Sequence, residues 1–309
     1  MSRIPVWFDT DIGVDDAAAL LVLGKQEQVA VMGISAVAGN VPLCRTYDNA
    51  RKVCRLMGLA VPVYRGAAKP LFKELEAAAH VHGEDGLGGA ALPASEVPEV
   101  PDAAWDALYR AAIEAEGALE VVAVGPLTNL AIAIGKYPQL KVLIRRILLM
   151  GGAAQGGNVT PSAEFNIYAD PHAAQMVFKS GIPVVMCGLD VTHKAYLTAE
   201  ELEAAGSCDT EVARFFRDST RDLLRFHEQW GEPGLILHDV CPVLFLTHPE
   251  IFHGQSAGVF VETRGTITNG KTVTDLWSDK EFPEKNAFVV LDVDRPAFVS
   301  LIRDAIAGY

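Results

Sequence analysis

Four aspartates, Asp9, Asp11, Asp15 and Asp16, fall within eight residues directly after the apolar run Pro5-Val6-Trp7-Phe8. No lysine or arginine stands between Arg3 and Lys25. Carboxylates crowded at the end of a buried strand repel one another, and each costs on the order of several kcal/mol to bury unpaired. A fold tolerates such a cluster when a positive charge sits inside it, and a metal ion is the cheapest one available here. All-oxygen ligation favours a hard cation, Ca²⁺ or Mg²⁺, over Zn²⁺. Asp15 or Asp16 alone could cap the helix that begins with Ala17-Ala18-Ala19-Leu20-Leu21. That use explains one acid and not four. The cluster is no EF-hand, which needs Gly at its sixth position and Glu at its twelfth. Counting from Asp9, Val14 and Leu20 stand there.

The elements that must position these acids are signalled by apolar runs at 4–8, 29–35, 61–64, 119–124, 144–150, 182–186, 258–262 and 287–291. Most are continuous rather than alternating, as parallel strands covered on both faces are. Helical patterns fit between them at 16–24, 43–57, 103–116, 127–135, 170–180, 198–205 and 209–228. Strand–helix alternation predicts an α/β fold, a mostly parallel central sheet flanked by helices. Ligands of such sheets bind beyond the carboxyl ends of the strands, where the acidic cluster lies. No repeat or linker divides the chain, so a single domain over residues 1–309 is expected. The stretch 66–103 reads as a long loop, with Gly83, Gly86, Gly88, Gly89 and several prolines; long loops in compact domains are commonly functional.

Composition narrows the function. With half of 309 residues apolar, the chain can bury a large core. A formal charge of −13 repels nucleic acid and anionic membranes, so neither is expected as a partner. No apolar run reaches the roughly 18 residues of a membrane span, and the first strand follows Met1-Ser2-Arg3 too closely for a signal peptide. Five scattered cysteines, Cys44, Cys54, Cys187, Cys208 and Cys241, form no C-x-x-C pair. They argue against a disulfide framework or a zinc site and for the cytoplasm.

Several other strand ends carry polar groups. Asn40 follows the second strand, Gly125-Pro126-Leu127-Thr128-Asn129 the fourth, and Gly151-Gly152 the fifth, leading to Asn158. Glu164, Asn166 and Asp170 punctuate an apolar stretch, and Leu235-Ile236-Leu237 delivers His238-Asp239. Any one Asn or Gly here is explained by a turn; several converging on one sheet edge are not. The glycine pairs match no phosphate-binding loop.

In this order, DTDIGVDD, AVAGN, HVHGEDGLGG, VGPLTN, LLMGG, AEFNIYADP and LHD resemble the inosine-uridine-preferring nucleoside hydrolase family, from Phe8 to the end of the chain. GIPVVMCGLDVTHKA is similar to the bacterial ribonucleoside hydrolases in particular. The resemblance implies hydrolysis of the N-glycosidic bond of ribonucleosides to ribose and free base, with one Ca²⁺ in the pocket, by a homo-oligomer, dimer or tetramer. It gives Asp11, Asp16 and Asp239 as side-chain ligands, Val124 as a carbonyl ligand, and Asp11 also as the base that takes a proton from water. Asp15, Asn40, Asn158, Glu164, Asn166 and Asp239 match positions that hold the ribose hydroxyls, and Met150 one beside the sugar. Asp9 would orient the cluster. Val240 departs from the pattern, since proline often follows His-Asp; that touches a helix start and no ligand.

Such a site agrees with the chemistry. Departure of the base builds oxocarbenium-like charge on the sugar, which carboxylates and amide oxygens stabilise where it forms. On the base side the resemblance offers His82 near the base and His238 as proton donor to it. A histidine beside a metal ligand can equally just support that ligand. Phe226, His227 and Trp230 approach the same region, either to stack on a base or as core. Two other classes fit less well. A haloacid-dehalogenase-like phosphatase also opens with a strand and D-x-D but does not call for Asp15-Asp16 and the polar set. A non-catalytic calcium- and ribose-binding relative would not need to keep Asp11.

Overall fold

Trp7 and Phe8, neighbours in the first strand, belong to two different buried clusters, one on each face of the sheet. Successive strand side chains point to opposite faces, so a strand covered on both sides is apolar along most of its length. In the computed structural model, which describes residues 3–95, 99–277 and 284–309, that is the condition of the central strands. Phe8 packs with Leu20, Tyr47, Phe216 and Phe298 on one side. Trp7 packs with Leu108, Leu149 and Phe178 on the other.

The strands are β1 Ile4–Thr10, β2 Val29–Ala36, β3 Val63–Arg65, β4 Leu119–Ala123, β5 Ile144–Met150, β6 Val184–Cys187, β7 Tyr196–Leu197, β8 Leu235–Ile236, β9 Phe252–Val261, β10 Thr272–Asp275 and β11 Ala287–Val293. Nine form one sheet in the order β10-β9-β11-β6-β5-β4-β1-β2-β3, and β7 and β8, far apart in sequence, form a separate antiparallel pair. The seven strands from β11 to β3 run parallel. Each strand expected from the sequence forms, with ends displaced by a few residues.

The sheet departs from expectation at one edge. β9 runs antiparallel to both β11 and β10; the apolar run at 258–262 marks its second half, while its first half is largely exposed and polar and carries no such signal. Two substantial helices also lie outside the expected set. Val240–Thr247 is buried over all but its last residue and so shows no amphipathic period. Arg295–Ala307 starts with Asp294 accepting from the Ala297 N–H and with Pro296 in its first turn, a readable start signal.

Strand order explains where the site must be. From β1 the chain steps to β2 and β3 in one direction, then returns to β4 and continues through β5 and β6 in the other. The crevice at such a reversal, beyond the carboxyl ends, is where open α/β sheets bind ligands. Here it lies between β1 and β4, so the residues after Thr10 and after Ala123 face each other. Part of the 66–103 stretch, residues 96–98, lies outside the described residues; the rest is loop broken by the short helix Ala79–His82.

Candidate active site

Asp9 lies inside β1 and Asp11 just beyond it. The Asp9 Oδ2 accepts from the Ser35 hydroxyl and from Asn129 Nδ2 at 2.8 Å, while its Oδ1 is buried without a partner. Burial outweighs those two hydrogen bonds and pushes the Asp9 carboxyl up to about 7. Asn129 also accepts the Ala67 N–H at 2.8 Å, so it ties the turn after β4 to β1 and to the loop after β3. In sequence it looked like an ordinary turn residue.

Asp11 has one anchored and one free oxygen. Its Oδ2 accepts the Asn40 N–H at 2.7 Å. Its Oδ1 is buried with no partner. Two glycines form the walls: a Cβ at Gly39 would stand 2.1 Å from Asp11 Oδ2, and one at Gly125 would stand 2.6 Å from Oδ1. Real side chains do not approach so closely, so both loops reach the carboxylate with bare backbone.

Asp16 does what the capping reading and the cluster reading each require. It sits in the first turn of the helix Val14–Gly24. There its Oδ2 takes the Gly13 N–H at 2.8 Å and Asn40 Nδ2 at 3.1 Å, and its Oδ1 the Thr10 hydroxyl and the Asp11 N–H. Asp239 arrives from the far half of the chain, just past β8. Asp15, Asp16 and Asp239 are all buried, and each offers a carboxylate oxygen within 4.8 Å of the others. The tight group therefore includes Asp15, which the resemblance placed among the sugar contacts. Asp11 presses on it by charge, raising Asp239.

Every acid here is held above the ordinary carboxylate range, first by burial. The charges of Asp16 and Asp15 add to this for Asp11, and those of Asp15, Asp16 and Asp11 for Asp239. Asp15 rises to about 6. An unsatisfied oxygen beside a knot of carboxylates that resist ionising together is what a bound cation relieves. The donor set, all oxygen, fits a hard divalent ion.

The opposite wall comes from β4, β5 and the segment after them. The Val124 N–H donates to Asp9 O at 2.8 Å. Its carbonyl accepts from Asn166 Nδ2 at 2.9 Å and keeps a second lone pair for a cation. Asn166 gives its other amide proton to Met150 O at 3.1 Å, so what it can offer a ligand is the Oδ1 acceptor. Met150 is buried at the end of β5. Glu164 caps the helix Phe165–Ala169, taking the N–H groups of Asn166, Ile167 and Gly152 at 2.9, 3.2 and 2.8 Å. Burial still lifts it to about 7. Asn158 is exposed on its loop and accepts the Phe165 N–H at 3.0 Å.

Histidines line the remaining side. His82 Nδ1 accepts the Val14 N–H at 3.2 Å and lies 3.9 Å from Asp15 Oδ1. Burial lowers its pKa to about 4. His238 Nδ1 meets the Thr192 hydroxyl at 2.8 Å, a partner that no sequence signal set apart. Burial and the nearby rings of His227 and His193 hold His238 well below the usual histidine range. Of the aromatic candidates, Phe226 is half-buried against the core. His227 is buried and takes the Ile236 N–H. Trp230 is not core: it is 73% exposed, because it stands where its helix ends and the chain turns at Gly231 (φ +81°).

Comparison with known proteins gives a consistent set. The family model of the inosine-uridine preferring nucleoside hydrolases matches residues 6–300. The chain is 41% identical to the pyrimidine-specific ribonucleoside hydrolase RihA of Citrobacter koseri over 309 residues, covering 99% of each. It is 39% identical to the protein of that name from Photobacterium profundum, covering 100% of each. Among solved structures, the purine-preferring ribonucleoside hydrolase of Gardnerella vaginalis superimposes with a TM-score of 0.93 at 32% identity, over 98% of both chains.

Proposed function

Because this chain belongs to the inosine-uridine preferring nucleoside hydrolase family and is an N-glycosidic-bond hydrolase of ribonucleosides, we propose that it works with Ca²⁺, uses Asp11 as its base, and prefers pyrimidine nucleosides. The phosphatase alternative is set aside by the family match. The observation that carries the mechanism is the free, buried Asp11 Oδ1, walled by glycine backbone and adjoining the Asp15–Asp16–Asp239 group.

Asp16, Asp239 and the Val124 carbonyl would hold the ion together with Asp11 or Asp15. When bound, the ion neutralises the cluster and lowers the pKa of a coordinated water. Asp11 is anchored through Oδ2, which leaves Oδ1 free to accept a proton from the attacking water. Asn40, Asn158, Asn166 and Glu164 grip the sugar hydroxyls, spending binding energy from the part of the substrate that does not leave. The same oxygens face the oxocarbenium-like charge that develops on the ribose. His82 and His238 face the base. The pyrimidine preference follows the curated relatives, at 41% identity. In the cell we place the enzyme in the cytoplasm as a homo-oligomer, dimer or tetramer. Among the described residues no helix is long and apolar enough to cross a membrane, and the five cysteines are free.

A base-release assay over uridine, cytidine, inosine, adenosine, guanosine and 2′-deoxyuridine tests this. Uridine and cytidine should turn over fastest. Removing the 2′-hydroxyl should cost at least about 100-fold, because polar groups built for it are left unpaired. Equal rates on uridine and 2′-deoxyuridine would count against the sugar contacts assigned here.

The ion makes its own prediction. Purified protein should hold about one Ca²⁺ per chain, and chelation should abolish turnover reversibly. The acids also fix the pH dependence of stability. Asp9 is raised to about 7 and Asp15 to about 6. Between about pH 4 and 7 the cation-free native chain therefore keeps protons that the unfolded chain has released. The resulting stability is present at low pH and lost as pH rises through the folded-state values. Calcium replaces those protons, so the gain in Tm on adding it should be larger at pH 8 than at pH 5. A gain independent of pH, or stoichiometric zinc in place of calcium, would overturn the assignment.

A further inference from the structure

The loop 151–158 carries the sugar side of the pocket. Its Gly152 N–H fixes Glu164 Oε2 at 2.8 Å, and it ends in Asn158, which takes the Phe165 N–H. Glycines at 151, 152, 156 and 157 give it little stiffness of its own. Its order comes from outside, from the turn that joins β9 to β10 and from the chain after β6.

Lys271 reaches this loop with its ammonium. Nζ donates to the carbonyls of Ala153, Ala154 and Gly156 at 2.8, 3.1 and 3.3 Å, one for each of its three protons. Beside it the Thr272 hydroxyl donates to Ala153 O and accepts the Ala153 N–H, both at 2.8 Å. From the other side Asp190 takes the N–H groups of Ala154 and Gln155 at 2.7 and 3.1 Å. The turn itself is firmly built. The Glu262 carboxylate accepts the N–H groups of Arg264 and Gly265, and Glu262 and Lys271 are joined through the backbone. The same turn touches the pocket segment twice more. Ser162 Oγ donates to Ile267 O at 3.0 Å. Gly270 comes so close to Tyr168 that a Cβ would stand 2.8 Å from the Tyr168 Cα.

We propose that Lys271, supported by Thr272 and Asp190, is a positioning residue for nucleoside binding: its ammonium clamps the 151–158 loop in the shape that holds Glu164 and Asn158 toward the sugar. The proposal rests on the sugar-side assignment above. Lys271 acts through the loop and not on the substrate. Without the clamp the loop samples other shapes, and substrate binds only the competent fraction. Apparent affinity falls by that fraction. The cost is met on binding, before the chemical step, so it raises KM and leaves kcat largely unchanged.

Two variants and two readouts test this. Lys271→Met keeps the aliphatic stem and removes the charge; Thr272→Val removes both Ala153 bonds at nearly constant volume. Each should raise KM for uridine about tenfold or more, with kcat changed less than about threefold, and Lys271→Arg should recover much of the loss. Hydrogen exchange at the amides of residues 152–157 should accelerate about tenfold in Lys271→Met and Thr272→Val, at little cost in Tm. Unchanged KM in the folded variants overturns the proposal. So does a fall in kcat at constant KM, which would mean a smaller active fraction and a merely structural lysine. If the unaltered enzyme releases base from no ribonucleoside, the functional reading fails. The exchange measurement still decides the clamp, and unaccelerated exchange in both variants refutes it.

Discussion

Asp11→Ala should lose turnover by more than about 10⁴-fold in a chain that still folds. General-base removal alone costs on the order of 10²–10⁴, and disturbing the cation site adds to that. Folding should survive because the Asp11 side chain makes one anchoring hydrogen bond, to the Asn40 N–H, and otherwise adds repulsion to a buried acidic cluster. Without calcium the variant should be at least as stable as the unaltered protein. Removing a like charge from a buried group relieves it, which separates a catalytic role from a scaffolding one. The measurement pairs uridine turnover in calcium-replete buffer with thermal unfolding in chelator. Near-normal activity in the folded variant would sink the assignment of the base. A large drop in Tm without calcium would show that Asp11 is structural.

The second large effect belongs to His238 and depends on the substrate. Thr192 occupies Nδ1, which leaves Nε2 to meet a leaving base. His238→Ala should cost on the order of 10²–10⁴ in kcat with inosine, whose purine departs poorly without a proton. With p-nitrophenyl riboside, whose leaving group needs none, the loss should be small. Equal losses on both substrates would mean that His238 supports Asp239 and the ion. No loss on either would move the role to His82 or to a water. Because burial and its neighbours disfavour the charged ring in the free protein, an effect confined to inosine would also show that substrate binding supplies the proton or raises the ring's affinity for it.

How far the sequence reached depended on whether a feature was local. Carboxylates crowded at 9–16 are improbable without a cation whatever the fold, so spacing alone exposed them. Continuous apolar runs gave the parallel strands, because strands buried on both faces can be nothing else. The apolar helix Val240–Thr247 stayed hidden for a related reason: with no solvent side it has no period to read. β7 and β8, two residues each, are defined by each other and not by their own composition. Thr192 meets His238 46 residues away, and Asn129 meets Asp9 and Ala67 120 and 62 residues away; nothing in a single residue reveals such partners. Trp230 shows the limit in reverse: the sequence admits both core and base stacking for it, and the end of its helix leaves it exposed.

The glycine walls around Asp11 bear on how the enzyme can vary. At Gly39 and Gly125 the pocket presents backbone, and any Cβ would fall within 2.6 Å of a carboxylate oxygen. In a library randomised across the pocket and selected for turnover, those two positions should come back as glycine alone. Phe226 and the exposed Trp230 have side chains to exchange and should diversify. Innovation in this enzyme is therefore channelled: the reacting centre is closed to mutational exploration, while the approach to it stays open.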